Sequence, residues 1–200
     1  MTGIYITGHP LDDFDIEIKN YTNTNIDNIA FFENAEVTFA CLVSSVNKRV
    51  SKEGKPWAIV QFEDEDSSIE VFFFNKDYTS FLAFIEPGNR LFIKGKYQKS
   101  FRDKEKNELK ILEIEFLQDI MEKHCKELRL MMHYNTLDDQ KIENIYKIIS
   151  KHKGNKKFVL YLFDNNEQPL SFKSGKSGVK VSKELVEQLR RIPEVAVKIF

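Results

Sequence analysis

From Glu36 onward the chain carries five runs in which apolar residues recur at about every second position, and this period constrains the fold more than any other feature. The runs are EVTFACLVSSV, KPWAIVQFED, SSIEVFFFN, NRLFIKGKYQ and ELKILEIEFL, parted by turn or charged segments, with a helix-like stretch DYTSFLAFIEPG between the third and fourth. Alternation of this kind marks half-buried strands. Five strands with a helix between the third and fourth is the layout of an OB-fold, a small Greek-key barrel.

After Phe116 the pattern changes. KELRLMMHY reads as a strand, and Thr136-Leu137-Asp138-Asp139 can cap a helix whose Ile142, Ile145, Tyr146 and Ile149 follow i, i+3, i+4, i+7 spacing up to Gly154. KKFVLYLFD is a buried strand, and QPLSFKSGKSGVKVS reads as two short strands around a Gly-Ser turn. Ser182 opens a second helix with Leu185, Leu189 and Ile192 inward, Pro193 stops it, and EVAVKIF closes as a strand. The fold class is α+β: a five-stranded OB barrel over residues 36–118, a connector over 119–123, and a small β-α-β-β-α-β module over 124–200. Residues 1–35, rich in turn formers and without a sustained period, read as an irregular lead-in linker with one short helix.

Composition narrows the function. At 200 residues with 42% hydrophobic side chains, the chain has apolar material for two modest cores. No stretch approaches the roughly 18 apolar residues of a spanning helix, and no basic leader with an apolar run opens it. Cys41 and Cys125 lie far apart and read as free thiols of a reducing, cytoplasmic compartment. The net charge of −1 conceals an asymmetry. Residues 1–35 hold one lysine against six acids, 36–118 hold thirteen basic against fourteen acidic residues, and 124–200 hold fifteen against nine.

Catalytic patterns are sparse. His9, His124, His133 and His152 are scattered and neither cysteine belongs to a CxxC pair, so no zinc or other metal site is expected and no cofactor is implied. Ser174-Gly175-Lys176-Ser177-Gly178 holds the tail of a phosphate-binding P-loop, yet Leu170 stands where its first glycine belongs. The acidic run Glu63–Asp66 could carry a metal-dependent nuclease. Its place in a strand-to-strand turn reads as a solvated loop.

Binding chemistry is better represented. In OB-folds nucleic acid lies across strands two and three, flanked by the loops that join strands one to two and four to five. Here the first of these loops holds Lys48, Arg49, Lys52 and Lys55, and the second region holds Lys94, Lys96, Lys99, Arg102, Lys104 and Lys106. Cations there track phosphates while aromatics stack on bases. Glu70 marks one face of the third run as outward, so Phe72 and Phe74 share that face; on the second run Ala58, Val60 and Phe62 point inward and leave Trp57, Ile59 and Gln61 outside. Trp57 and Phe72 are the stacking candidates, joined by Tyr97 and Phe101 from the second basic region.

Several of these residues resemble one family, the bacterial replicative DNA polymerase III α subunit. Gly3–Asp12 (GIYITGHPLD) is similar to the segment leading into that family's OB domain. Lys52–Ala58 (KEGKPWA), Phe62-Glu63-Asp64, Ser68–Val71 and Phe74 resemble its first loop and its second and third strands. Anticodon-binding domains of tRNA synthetases share much of this second motif, and Ser67 and Ser68 stand where the family usually has a glycine. The resemblance continues through the C-terminal module. It implies a noncatalytic C-terminal fragment, monomeric by itself, of a DNA-directed DNA polymerase whose palm, fingers and PHP domains precede this segment. It further implies an OB domain on single-stranded template and a last domain docking the τ subunit of the clamp loader among other replicase subunits. The alternatives are an OB appendage reading RNA or tRNA, and the nuclease.

Overall fold

The computed structural model describes residues 8–100, 105–164, 169–174 and 178–200. The chain divides into two compact units, 1–120 and 121–200.

In the first unit the short helix α1 (Asp15–Tyr21), preceded by a 3-10 turn at Asp12–Phe14, leads into the strands. There β1 (Glu36–Val50), β2 (Pro56–Glu63), β3 (Ser68–Phe74), β4 (Arg90–Lys99) and β5 (Asn107–Phe116) form one antiparallel sheet in the order β3-β2-β1-β4-β5. The helix α2 (Asn75–Phe81) lies between β3 and β4. The long β1 pairs with β4 through Glu36–Leu42 and with β2 through Leu42–Val50, and the register slips between Val43 and Ser45. A bulge there bends the strand and advances its phase by one residue. Val37, Phe39, Cys41 and Val43 lie in the core before it, and Val46 packs on the core after it. The slip between Lys94 and Gly95 does the same to β5: Leu109 and Ile114 are both core residues although an odd number of positions parts them. Gly95 stands at that slip, where a Cβ would lie 2.9 Å from Leu109 Cδ1 and 3.0 Å from the Lys110 carbonyl, so a larger residue would have to push its neighbours aside. Ala58, Val60 and Phe62 from β2, Val71 and Phe73 from β3, Ile85, and Leu91 and Ile93 from β4 complete the core. Burial, and then the Asp64 carboxylate, push the Cys41 thiol well above its usual range, so it stays protonated and unreactive.

The segment before the barrel is more than a linker, although it contains the short helix expected there. Ile26 and Ile29 enter the barrel core itself, and Leu11 joins Ala40, Phe92, Leu117 and Ile120 in a second cluster on the outer side of β1 and β4. Polar contacts pin it: the Thr38 amide donates to Asn23 Oδ1 at 2.7 Å, the Asn23 amide donates to the Thr38 carbonyl at 3.0 Å, and the Ile26 amide donates to Asp64 Oδ2 at 2.7 Å. Irregular backbone has no period, so its apolar residues give no local sign of where they pack.

In the second unit, after the short helix α3 (Ile120–His124) that begins at the division, come β6 (Glu127–His133), α4 (Asp139–Lys151), β7 (Lys153–Gly154), β8 (Lys157–Phe163), β9 (Leu170–Lys173), β10 (Gly178–Val179), α5 (Lys183–Arg190) and β11 (Ala196–Ile199). Four strands form a sheet in the order β11-β6-β8-β9, with β6 and β8 parallel and the outer pairs antiparallel. Both longer helices start as expected: Asp138 accepts from the Lys141 amide at 2.6 Å, and Ser182 accepts from the Leu185 amide at 3.2 Å. Leu128, Leu130 and Met132 of β6 are fully buried, as are Leu185, Val186 and Leu189 of α5. One reading from the sequence is corrected. The two short strands around the Gly-Ser turn do not pair with each other; β9 adds to β8, and β10 pairs with β7. Turn residues mark where a chain can reverse, whereas the partner is chosen by what else needs a strand beside it. Residues 175–177 of that turn lie outside the described residues. Among the described residues no helix is long and apolar enough to cross a membrane.

Candidate nucleic-acid interface

The outer face of β2 and β3 is built by register. Trp57 sits opposite Phe74, Ile59 opposite Phe72 and Gln61 opposite Glu70, and on the other side of β2 Arg49 of β1 is opposite Trp57. Strand alternation places the side chains of these residues on one surface. The rings of Trp57 and Phe74 have centroids 5.2 Å apart at an interplanar angle of 20°, and those of Phe72 and Phe74 are 6.1 Å apart at 4°. The Arg49 guanidinium caps the row, 5.5 Å from the Trp57 ring centroid. Phe72 is 50% exposed, so its ring is open to a ligand. Trp57 and Phe74 are half-buried against their neighbours.

Two hollows meet at this row. One, of about 350 Å³, lies under the β1–β2 turn and is lined by Lys52, Glu53, Lys55, Trp57, Phe74 and Asn75 among others. The other, of about 690 Å³, runs between the facing edges of β3 and β5, where Phe72, Phe74, Asn75, Tyr97, Lys106 and Lys110 contribute. Phe74 and Asn75 belong to both. Near-parallel aromatics between two cation-bearing hollows can stack bases while lysines track the phosphates on either side.

The expected cations are less available than their sequence positions suggest. Lys48 Nζ meets Glu86 Oε1 at 2.6 Å, and that hydrogen bond raises the Lys48 pKa above the usual lysine value. Lys55 meets Glu53 at 3.0 Å, Lys94 meets Glu36 at 3.0 Å and Lys99 meets Glu33 at 3.9 Å. Lys52 and Lys96 have no carboxylate partner among the described residues. Lys94 and Lys96 flank Glu36, at the opposite end of β1 from Arg49. Lys106 and Lys110, and not Lys94, Lys96 or Lys99, line the groove with Phe72. Tyr97 turns inward and packs on the barrel core while also lining that groove, so it is a wall of the site and not a member of the aromatic row. Phe101, Arg102 and Lys104 lie outside the described residues. Phe74 is the residue whose importance the alternation underplays. It stands on the right face, but that it bridges the two hollows depends on α2 starting immediately after it.

The acidic run has a structural occupation. Asp64 Oδ1 accepts from the amides of Asp66 at 3.1 Å and Ser67 at 2.9 Å while Oδ2 holds the Ile26 amide, so this carboxylate shapes the β2–β3 turn and fastens the lead-in. The turn that lacks a glycine is thereby closed by an aspartate. Glu65 stands with His9 and Asp12 in a group whose ligand-type atoms lie within 4.8 Å of one another. His9 Nδ1 there accepts from the Leu11 amide and Asp12 Oδ2 accepts from the His9 amide, which fits a local turn motif.

Comparison with known proteins agrees with this architecture. Residues 128–200 match the family described as the C-terminal domain of the DNA polymerase III alpha subunit, and residues 37–117 match the OB-fold nucleic acid binding domain. The DNA polymerase III subunit alpha of Saccharopolyspora erythraea is 35% identical over 100 residues, which is 48% of this chain and 8% of that protein. The corresponding protein of Buchnera aphidicola is 24% identical over 176 residues, 87% of this chain and 15% of its own length. Among solved structures, the second OB-fold domain of replication protein A from Methanococcus maripaludis aligns with 46% of this chain and 94% of its own, at 15% identity and a TM-score of 0.31. The chain therefore resembles the C-terminal region of DNA polymerase III alpha subunits, and what it matches is a small share of their length.

Proposed function

We propose that this chain is the noncatalytic C-terminal region of a replicative DNA polymerase alpha subunit, in which the barrel holds single-stranded template and the last module tethers the polymerase to the τ subunit of the clamp loader. The observation that carries the first half is the row Trp57-Phe74-Phe72, capped by Arg49 and set between two cation-lined hollows, on a barrel matched to nucleic-acid-binding OB domains. Stacking on a ring is indifferent to base identity, because every base has a π-face, and that suits a strand whose sequence changes as it passes. The second half rests on the match of residues 128–200 to the last domain of polymerase III alpha subunits.

On this reading the protein binds and positions; the chemistry belongs to domains elsewhere in such a polymerase. Labelled oligo-dT should bind the full chain and be competed by unlabelled single strands far better than by duplex. A folded tRNA that competes more strongly than oligo-dT, or a Phe72→Ala protein with unchanged oligo-dT affinity, overturns the template reading. A pull-down of τ by the full chain, lost on removal of residues 124–200, supports the tether; retention of τ after that removal overturns it.

A further inference from the structure

We propose that the second unit carries a phosphate-binding site in the hollow bounded by Lys153, Lys156 and Lys180. This goes beyond the template groove, since it lies in the C-terminal module and uses none of the aromatic row. The hollow, about 330 Å³, is formed where the loop after α4 crosses the strand before α5. Backbone pairing fixes the crossing: the Lys156 amide donates to the Val179 carbonyl at 3.0 Å, the Val179 amide donates back to the Lys156 carbonyl at 2.9 Å, and the Lys180 amide donates to the His152 carbonyl at 2.8 Å. Gly154 and Gly178 let the two backbones approach this closely, because a Cβ on Gly154 would overlap the Lys180 backbone and one on Gly178 would overlap that of Lys156. The lysines thus project from a rigid frame.

Their charge is not spent within the protein. Lys153, Lys156, Lys157 and Lys180 have no carboxylate partner among the described residues; Lys156 Nζ donates instead to the backbone carbonyl of Glu122, the one acidic residue among those that line the hollow. Lys151, at the end of α4, is accounted for by the helix dipole. Lys153 and Lys180 have no such local duty, and Lys156, held by the Glu122 carbonyl, keeps its charge without a carboxylate beside it. Each of their ammonium groups is a compact charge with three donors and no acceptor. A phosphate, with more acceptor oxygens and more charge than a carboxylate, can engage several lysines at once, each acting as a point charge. The ligand class is therefore a phosphate group, whether on a nucleic-acid backbone or on a free oligophosphate.

Lysine acylation of the full chain, read residue by residue by mass spectrometry, tests the site without a variant. Inorganic tripolyphosphate and oligo-dT are each added at fixed ionic strength, and Lys153, Lys156 and Lys180 are expected to be protected at least threefold relative to exposed Lys19. Protection by tripolyphosphate alone assigns the site to a free oligophosphate, and protection by oligo-dT alone assigns it to a nucleic-acid backbone. Repeating the tripolyphosphate arm with Phe72→Ala protein should leave the protection unchanged, which separates this site from the template groove. For the backbone source, Lys153→Ala/Lys180→Ala should lower the slope of log K against log salt for oligo-dT by about 1.4, from about 0.7 per phosphate contact. No protection by either phosphate ligand, or equal protection by poly-glutamate at matched charge, overturns the proposal.

Discussion

Two lysine-bearing surfaces differ, although each unit holds both kinds of lysine: Lys141 and Lys147 of the C-terminal unit meet Glu194 and Glu143 at 3.2 and 2.7 Å, and Lys52 and Lys96 of the barrel have no carboxylate partner among the described residues. In the barrel unit Lys48, Lys55, Lys94 and Lys99 each face a carboxylate within 2.6–3.9 Å, and the solvent-facing signature is a row of aromatic rings. In the C-terminal unit the run Lys151–Lys157 (KHKGNKK) meets Lys180 with no carboxylate partner for its lysines among the described residues. On the proposed reading, a near-neutral protein holds one surface that binds by stacking and another that binds by charge. Net charge over the whole chain hides this, because it adds a compensated surface to an uncompensated one. Salt should separate the two, since screening weakens exposed charges far more than ring contacts.

The largest effect should come from cutting the barrel unit at the boundary its alternation suggests. Residues 36–118 alone lose Leu11, Ile16, Ile26 and Ile29, all buried, at about 1.5–3 kcal/mol each. A domain has only about 5–15 kcal/mol in total. Urea unfolding should show 8–120 folding cooperatively and 36–118 largely unfolded; equal midpoints would make the lead-in a linker after all.

Next in size is stacking. Phe72→Ala should weaken oligo-dT binding by about 1–3 kcal/mol with little change in melting temperature. Trp57→Ala should lose comparable affinity and melt earlier as well, because its ring also packs on Phe74 and under Arg49. Titration by fluorescence anisotropy with parallel thermal melts checks both, and an affinity that follows stability alone would remove the aromatic row from the interface.

Helix caps then sharpen the independence of the units. Asp138→Ala and Ser182→Ala should each cost about 0.5–2 kcal/mol in the C-terminal unit. Hydrogen exchange should rise in α4 and α5 and stay unchanged in the barrel strands; a spread into β1–β5 would mean that the units unfold together.

The smallest effect is expected at Lys48, an exposed and already paired cation. Lys48→Ala should leave the salt slope of oligo-dT binding unchanged, whereas Arg49→Ala and Lys52→Ala should each flatten it. The Lys48 pKa is raised by the Glu86 hydrogen bond, so the pair's contribution is present in full below the ordinary lysine value and is lost only as pH rises through the raised one. A barrel midpoint that changes between pH 6 and 8 through this pair contradicts the assignment.

Much of this was legible before any coordinates. A period of two states which face of a strand a residue occupies, so Ala58, Val60 and Phe62 could be placed inside and Trp57 and Phe72 outside. Caps are equally local: Asp138 and Ser182 satisfy amides three residues onward, and such contacts form wherever the helix forms. What the tertiary structure alone decided is which distant groups meet. Lys48 and Glu86 are 38 residues apart, as are Ile26 and the Asp64 that holds it. Lys106 and Lys110, and not Lys94 and Lys96, line the groove because β5 and the turn before it form the edge opposite β3, whereas Lys94 and Lys96 lie on β4, one strand further in. Strands β9 and β10 parted to pair with β8 and β7 for a similar reason. A sequence records each residue's local preference for face, cap or turn, whereas partner choice depends on closing long loops so that all buried groups are satisfied together, and that condition exists only in the folded chain.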